Sequence, residues 1–196
     1  EIRLSLVGSE MCIRDRMGGD CLNTGCVPSK ALLRSAKLAH ELKQGEALGF
    51  RDVGGRVDFP AVMQRIQRVI GDIEPHDSVE RYTDLGVEVI QGEATITSPW
   101  TVEVNGQTLS SRSLVIAAGA RPLVPNIPGL DQVQTYTSDS IWDLREQPRW
   151  MLVLGGGPIG CELAQAFQRL GSQVIQLELA ERLLPREDAD ASELLL

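Results

Sequence analysis

Cys21 and Cys26 stand five positions apart in the stretch GGDCLNTGCVPSK, residues 18–30. Close thiols can hold a metal, staple a fold, or exchange electrons with a third group. A zinc site needs about four ligands, commonly as paired cysteines or cysteine–histidine units. Beyond residues 1–16, which are set aside below together with Cys12, only Cys161, His40 and His76 remain to complete such a set, and they are scattered along the chain. No metal site is expected. Two readings stay open: unlinked thiols, or a pair that closes a small loop and cycles between thiol and disulfide. In a reducing cytosol a close pair is more often catalytic or metal-binding than structural. Cys26 also lies near the N-terminus of a helical stretch, where backbone N–H groups stabilise negative charge.

A second chemical signal is the series Gly155, Gly157 and Gly160 in VLGGGPIGCELAQAFQRLGSQVIQLE, residues 153–178. An apolar strand precedes it, an amphipathic helix follows, and a second strand ends in Glu178. That context fits a dinucleotide-binding turn. Gly155 allows the tight turn, and Gly157 lets a pyrophosphate approach the positive end of the helix. Gly160 permits close packing of helix on strand. Pro158 and Ile159 fill the variable positions between them. Glu178 can accept hydrogen bonds from a ribose 2′-hydroxyl, whereas a 2′-phosphate there would meet a like charge. The cofactor expected is therefore NAD, with NADH preferred over NADPH. The plainer alternative is a glycine-rich turn without a ligand.

These residues need elements to hold them. A helix is expected over about 28–42, with Leu32, Leu33, Ala36, Leu38 and Ala39 apolar. Asp58 can cap a second helix, whose face carries Val62, Ile66, Val69, Ile70 and Ile73. Pro75 interrupts it, and Val79, Tyr82 and Leu85 resume it. The period then changes to two. VEVI, EATIT, TVEV and QTLS read as short strands, with Asn105-Gly106 as a hairpin turn. SLVIAAG and WMLVLGGG read as buried parallel strands. RPLVPNIPG is a proline-rich crossing segment.

Composition bounds the function. The chain has 196 residues, 42% hydrophobic and 23% charged, with net charge −8. That is ordinary globular composition without the basic footprint of a nucleic-acid or anionic-membrane binder. No apolar run approaches the roughly 18 residues of a membrane span. A cytoplasmic setting is expected. Residues 1–16 are set aside. Within them, EMCIRD at 10–15 is what the DNA run GAG ATG TGT ATA AGA GAC encodes, part of a transposase adapter used in library preparation. The segment is expected to be non-native, the alternative being a genuine strand IRLSLVG.

GGDCLNTGCVPSK resembles the redox-active disulfide motif of the class I pyridine nucleotide–disulfide oxidoreductases, in the branch that includes mercuric reductase and dihydrolipoamide dehydrogenase. The resemblance runs from about Gly18 to Glu193 in family order. LVIAAGARPLVPNIPG, ahead of the glycine series, is similar to a flavin-touching strand end. It implies an α/β fold of doubly wound, Rossmann-like FAD- and NAD(P)-binding domains with a small β meander. It implies a partial FAD domain at 17–147, with the redox disulfide, and the first half of an NAD domain at 148–196.

Position by position, the resemblance makes Cys21 the interchange thiol and Cys26 the thiolate stacked on FAD. Lys30 would lie by the reactive flavin nitrogen, with Glu162 as its ion partner. Ala94 would give a backbone contact to the adenine, and Ala118 and Gly119 would touch the flavin. The family usually has threonine where Ala118 stands, so a hydroxyl contact is lost. Gly155, Gly157, Gly160 and Glu178 would hold the nicotinamide cofactor. The implied reaction passes electrons between NAD(P)H, FAD, the Cys21–Cys26 disulfide and a small disulfide, dithiol or Hg(II) substrate, in a homodimer. The family's first strand–turn–helix and its acid–base histidine have no counterpart, so the chain is expected to be an internal fragment and inactive alone. A different class of reading is a non-catalytic dinucleotide-binding module whose cysteines sense redox state.

Overall fold

The computed structural model describes residues 9–195; residues 1–8 of the segment set aside above lie outside the described residues. Strand β1 (Ser9–Ile13) is followed by a short helix α1 (Gly19–Asn23) and the long helix α2 (Cys26–Gln44). Helix α2 starts two residues earlier than the sequence implies, because Pro28 falls in its first turn, where a missing N–H breaks no intrahelical bond. Asp58 caps α3 (Phe59–Ile73), its carboxylate accepting from the Ala61 N–H at 3.0 Å. A 3₁₀ turn at Glu74–Asp77 marks the proline break, and α4 (Val79–Asp84) follows.

Strand β2 (Val87–Gln91) pairs in parallel with β1. A pairing was not expected within residues 1–16, which show no strand period. Parallel ladders use backbone groups, and the edge of β2 takes up Ser9–Ile13 without an alternating pattern. Strands β3 (Ala94–Ser98), β4 (Thr101–Val104) and β5 (Gln107–Ser110) form the antiparallel meander. Asn105 and Gly106, both at positive φ, turn β4 into β5.

SLVIAAG departs from expectation: residues 112–127 form no regular element, and Val115 and Ile116 are 91% and 74% exposed. An apolar run becomes a buried strand only where neighbours satisfy its backbone, and the two-stranded β1–β2 sheet does not extend to it. Strand β6 (Trp150–Leu154), helix α5 (Pro158–Leu170) and the parallel strand β7 (Gln173–Leu177) complete a βαβ unit, before α6 (Ala189–Glu193). Only one face of the β6–β7 pair is covered; Trp150, Leu152, Ile175 and Leu177 on the other are exposed.

One buried cluster joins α2, α3 and α5. Leu32 and Ala36 of α2, Met63 and Ile66 of α3, Trp142 from the turn before β6, and Phe167 of α5 belong to the same buried cluster. Helix α2 thus packs on both α3 and α5. Among the described residues, no helix is long and apolar enough to cross a membrane.

Candidate active site

The turn that carries the cysteines is tied by its own polar groups. Asn23 Nδ2 donates to the carbonyls of Met17 and Gly19, at 3.0 and 2.9 Å. The Gly25 N–H donates to the Asp20 carbonyl at 2.5 Å. A Cβ at Gly25 would stand 2.9 Å from that oxygen, so only glycine fits between Cys21 and Cys26. The turn is also held from afar: Trp142, 4% exposed, donates its indole N–H to the Thr24 carbonyl at 2.9 Å.

Cys21 in α1 and Cys26 at the first position of α2 are both exposed and free. The Cys21 thiol is pushed above the usual thiol range, first by the Cys26 side chain beside it, then by desolvation and by the like charge of Cys26. The Cys26 backbone N–H acts the other way, and the Asp77 carboxylate adds a last upward push. Cys21 therefore keeps its proton to higher pH than an ordinary thiol. Two neighbouring thiols can join as a disulfide by giving two electrons to an oxidant and releasing two protons.

Lys30 follows Cys26 by one turn, and its Nζ lies 2.5 Å from Glu162 Oε1 on α5. Both side chains are more than a third exposed, so the pair contributes at most about 1 kcal/mol to stability. Its consequence is positional: it joins the helix that begins with Cys26 to the helix that follows the glycine turn. Ala118 and Gly119 lie exposed in the irregular segment, and a Cβ on Gly119 would stand 3.4 Å from the Asp20 carboxylate beside Cys21. Ala94 opens β3 in the meander, paired with Val104, and is also exposed.

The glycine series forms the turn from β6 into α5. Gly155 has φ +112°, open to glycine but strained for other residues. A Cβ at Gly160 would collide with the Gly155 carbonyl, whereas nothing lies within 4 Å of a Cβ built on Gly157. No side chain caps α5, so its first N–H groups are open to an anion beside Pro158 and Ile159. Glu178, just after β7, accepts from the Ala180 N–H at 2.9 Å and from the Gly156 N–H at 2.5 Å. These backbone donors, Ala180 first, hold its carboxyl below the usual range. It stays charged at neutral pH, and those contacts weaken only as pH falls through that lowered value.

The structure therefore brings together Cys21 with Cys26, Lys30 with Glu162, and Glu178 with the glycine turn. His40 lies on α2, and exposed His76 contacts Arg81; neither is hydrogen-bonded to a thiol. Sequence reasoning passed over Trp142, whose partner lies 118 positions away, and the Gly156 N–H, whose use depends on where the Glu178 side chain turns. Asn23 carried a local signal, as an asparagine among glycines, and was not singled out.

The residues present fit the pyrophosphate and ribose of a dinucleotide, since the α5 terminus is uncapped and Gly157 is open. For FAD the fit is divided. The flavin end has Cys26, Lys30 and the open Ala118-Gly119 segment. At the other end β1 runs into the ion pair Arg14–Asp15 instead of a glycine turn.

The family model described as pyridine nucleotide-disulphide oxidoreductase matches residues 2–196. A mercuric reductase of Bacillus cereus is 38% identical over 183 residues, covering 93% of this chain and 29% of that protein. A dihydrolipoyl dehydrogenase of Chlorobaculum parvum is 36% identical over 198 residues, covering 96% of this chain and 41% of that protein. The solved structure of the Cu(II) complex of the HOCl-induced flavoprotein disulfide reductase RclA from Escherichia coli superposes with TM-score 0.76 at 29% identity, covering 95% of this chain and 40% of that one. The chain thus spans well under half the length of these relatives.

The glycine turn makes a contrasting pair of predictions. Gly157→Ala, with open space around its Cβ, should melt as the unaltered chain does but bind NADH far more weakly. Gly160→Ala should lose about 1–3 kcal/mol of stability through overpacking. Thermal unfolding and NADH titration of both variants check this; full NADH affinity in Gly157→Ala contradicts it.

Proposed function

Because the chain belongs to the pyridine nucleotide-disulphide oxidoreductase family, we propose that it supplies the thiol pair and the first half of the dinucleotide site of an FAD-dependent oxidoreductase. Electrons pass between NAD(P)H and the Cys21–Cys26 pair, and either from that pair to a small disulfide or Hg(II) substrate or from a small dithiol to that pair. The observation that carries this reading is the pair of free, exposed thiols Cys21 and Cys26, the second opening a helix that Lys30–Glu162 joins to the glycine-turn helix.

FAD, when bound, supplies the hydride acceptor that relays an electron pair to the disulfide. The residues of this chain do the rest. Glu178 and the uncapped turn seat the dinucleotide. Lys30 is held by Glu162 with its charge beside the first turn of α2. Cys26 starts that helix, where N–H dipoles favour negative charge. Cys21, outside it and exposed, is the sulfur that small substrates reach. The names of the relatives, mercuric reductase and dihydrolipoyl dehydrogenase, fit substrates small enough for such a site. The longer protein acts in the cytoplasm as a homodimer.

NADH is the preferred reductant. The fixed Glu178 carboxylate repels a 2′-phosphate, and the Arg182 guanidinium is already engaged by Ser192 Oγ and the carbonyls of Pro185 and Glu187. In the longer protein, kcat/KM for NADH-driven disulfide or Hg(II) reduction should exceed that for NADPH by about tenfold or more, the worth of one or two charge-assisted bonds. Glu178→Ala should narrow the gap. Equal or better use of NADPH by the unaltered enzyme contradicts the assignment.

The 196-residue chain alone should purify with little flavin and show no disulfide turnover, because Arg14–Asp15 stands where a pyrophosphate cradle is needed. Flavin absorbance after purification measures this, and a yellow, stoichiometrically flavinylated and active chain overturns it.

A further inference from the structure

The loop after β7 is fastened by a network that the nucleotide-site residues above do not include. The Arg182 guanidinium donates from Nη1 to Ser192 Oγ at 2.8 Å, and from Nη2 to the carbonyls of Glu187 and Pro185, at 2.7 and 3.3 Å. Ser192, 2% exposed, donates its hydroxyl proton onward to the Leu183 carbonyl at 2.6 Å. The hydroxyl is thus both acceptor and donor.

This network ends at the glycine turn. Leu184 adopts φ +47°, a left-handed conformation costly for a branched side chain unless its surroundings enforce it. In that conformation its N–H donates to the Gly156 carbonyl at 2.7 Å. The Gly156 N–H in turn binds Glu178 Oε2. A Cβ built on Gly156 would stand 2.7 Å from Leu183 Cδ2 and 2.9 Å from Glu178 Oε2. Leu183 and Glu178 therefore lie side by side over Gly156, and Ser192 holds the backbone of Leu183.

We propose that Ser192 and Arg182 form a latch that holds Glu178 in place for the ribose, so that Ser192, 14 positions from Glu178, is a remote determinant of dinucleotide selectivity. Both are positioning residues, because they act through Leu183, Leu184 and Gly156 and touch no ligand. The inference rests on the reading of the glycine turn as a dinucleotide site. Without the latch, the loop can leave the left-handed geometry, Leu184 releases Gly156, and the carboxylate loses its fixed place. A ligand that depends on that carboxylate then suffers, and one repelled by it is relieved.

The test uses the 196-residue chain and its variants Ser192→Ala and Arg182→Lys, the second keeping the charge but not the planar fork. Calorimetric titration gives the affinities for ADP-ribose and 2′-phospho-ADP-ribose, with thermal melting and amide exchange at Leu184 measured alongside. The unaltered chain should prefer ADP-ribose. Each variant should compress that preference about tenfold, the worth of roughly one hydrogen bond to a charged group, and should exchange the Leu184 N–H faster. A lower melting temperature with an unchanged affinity ratio overturns the latch and leaves Glu178 as the ribose residue. So does an equal loss of both ligands. If Ser192→Ala does not fold, the ratio in Arg182→Lys decides alone. An unaltered chain with no preference between the ligands overturns the dinucleotide reading and the latch together.

Discussion

Helix α2 lies against helix α5, with Phe167 of α5 fully buried in the cluster that contains Leu32 and Ala36 of α2 and Phe59 of α3. Each large apolar side chain buried there contributes about 1.5–3 kcal/mol, whereas the exposed Lys30–Glu162 pair contributes no more than about 1. Apolar packing therefore holds the two helices together, and the ion pair sets their register. The register matters because both helices begin with chemistry. Cys26 is the first residue of α2, and the glycine turn feeds α5. Each has a glycine N-cap and no capping side chain.

Two irregular stretches complete the arrangement, and both are shaped by backbone bonds. The cysteine turn depends on the Gly25 N–H, on Asn23 and on the indole of Trp142. The loop after β7 depends on Arg182, Ser192 and the left-handed Leu184. In each, a distant side chain fixes a local conformation that the neighbouring sequence alone would leave unspecified. Trp142 and Ser192 are themselves buried, so losing either tie costs stability as well as the geometry of the site.

Much of this was legible in the sequence. The Asp58 cap, the Pro75 break, the Asn105-Gly106 turn and the strand–glycine–helix run of the βαβ unit rest on short-range rules, and the structure has them all. The motif around Cys21 and Cys26 was specific enough to indicate the family. What was not legible depends on long-range pairing. SLVIAAG has the composition of a buried strand, yet a strand needs neighbours on its edges, and residues 112–127 have none in the described structure. Ser9–Ile13 shows the reverse, since an open edge on β2 makes a strand from a segment without the pattern. Trp142 and Ser192 carry no local signature of their roles; only the folded chain brings them to Thr24 and Leu183.

The central claim is that Cys21 and Cys26 are one redox couple. Treating the purified chain with the thiol oxidant diamide, alkylating the remaining thiols and mapping the peptides by mass spectrometry tests it directly. The account predicts a Cys21–Cys26 disulfide, with Cys161 recovered in its alkylated form and the link reversed by dithiothreitol. Recovery of both Cys21 and Cys26 as alkylated thiols after oxidation, or of either one linked to Cys161, would contradict it.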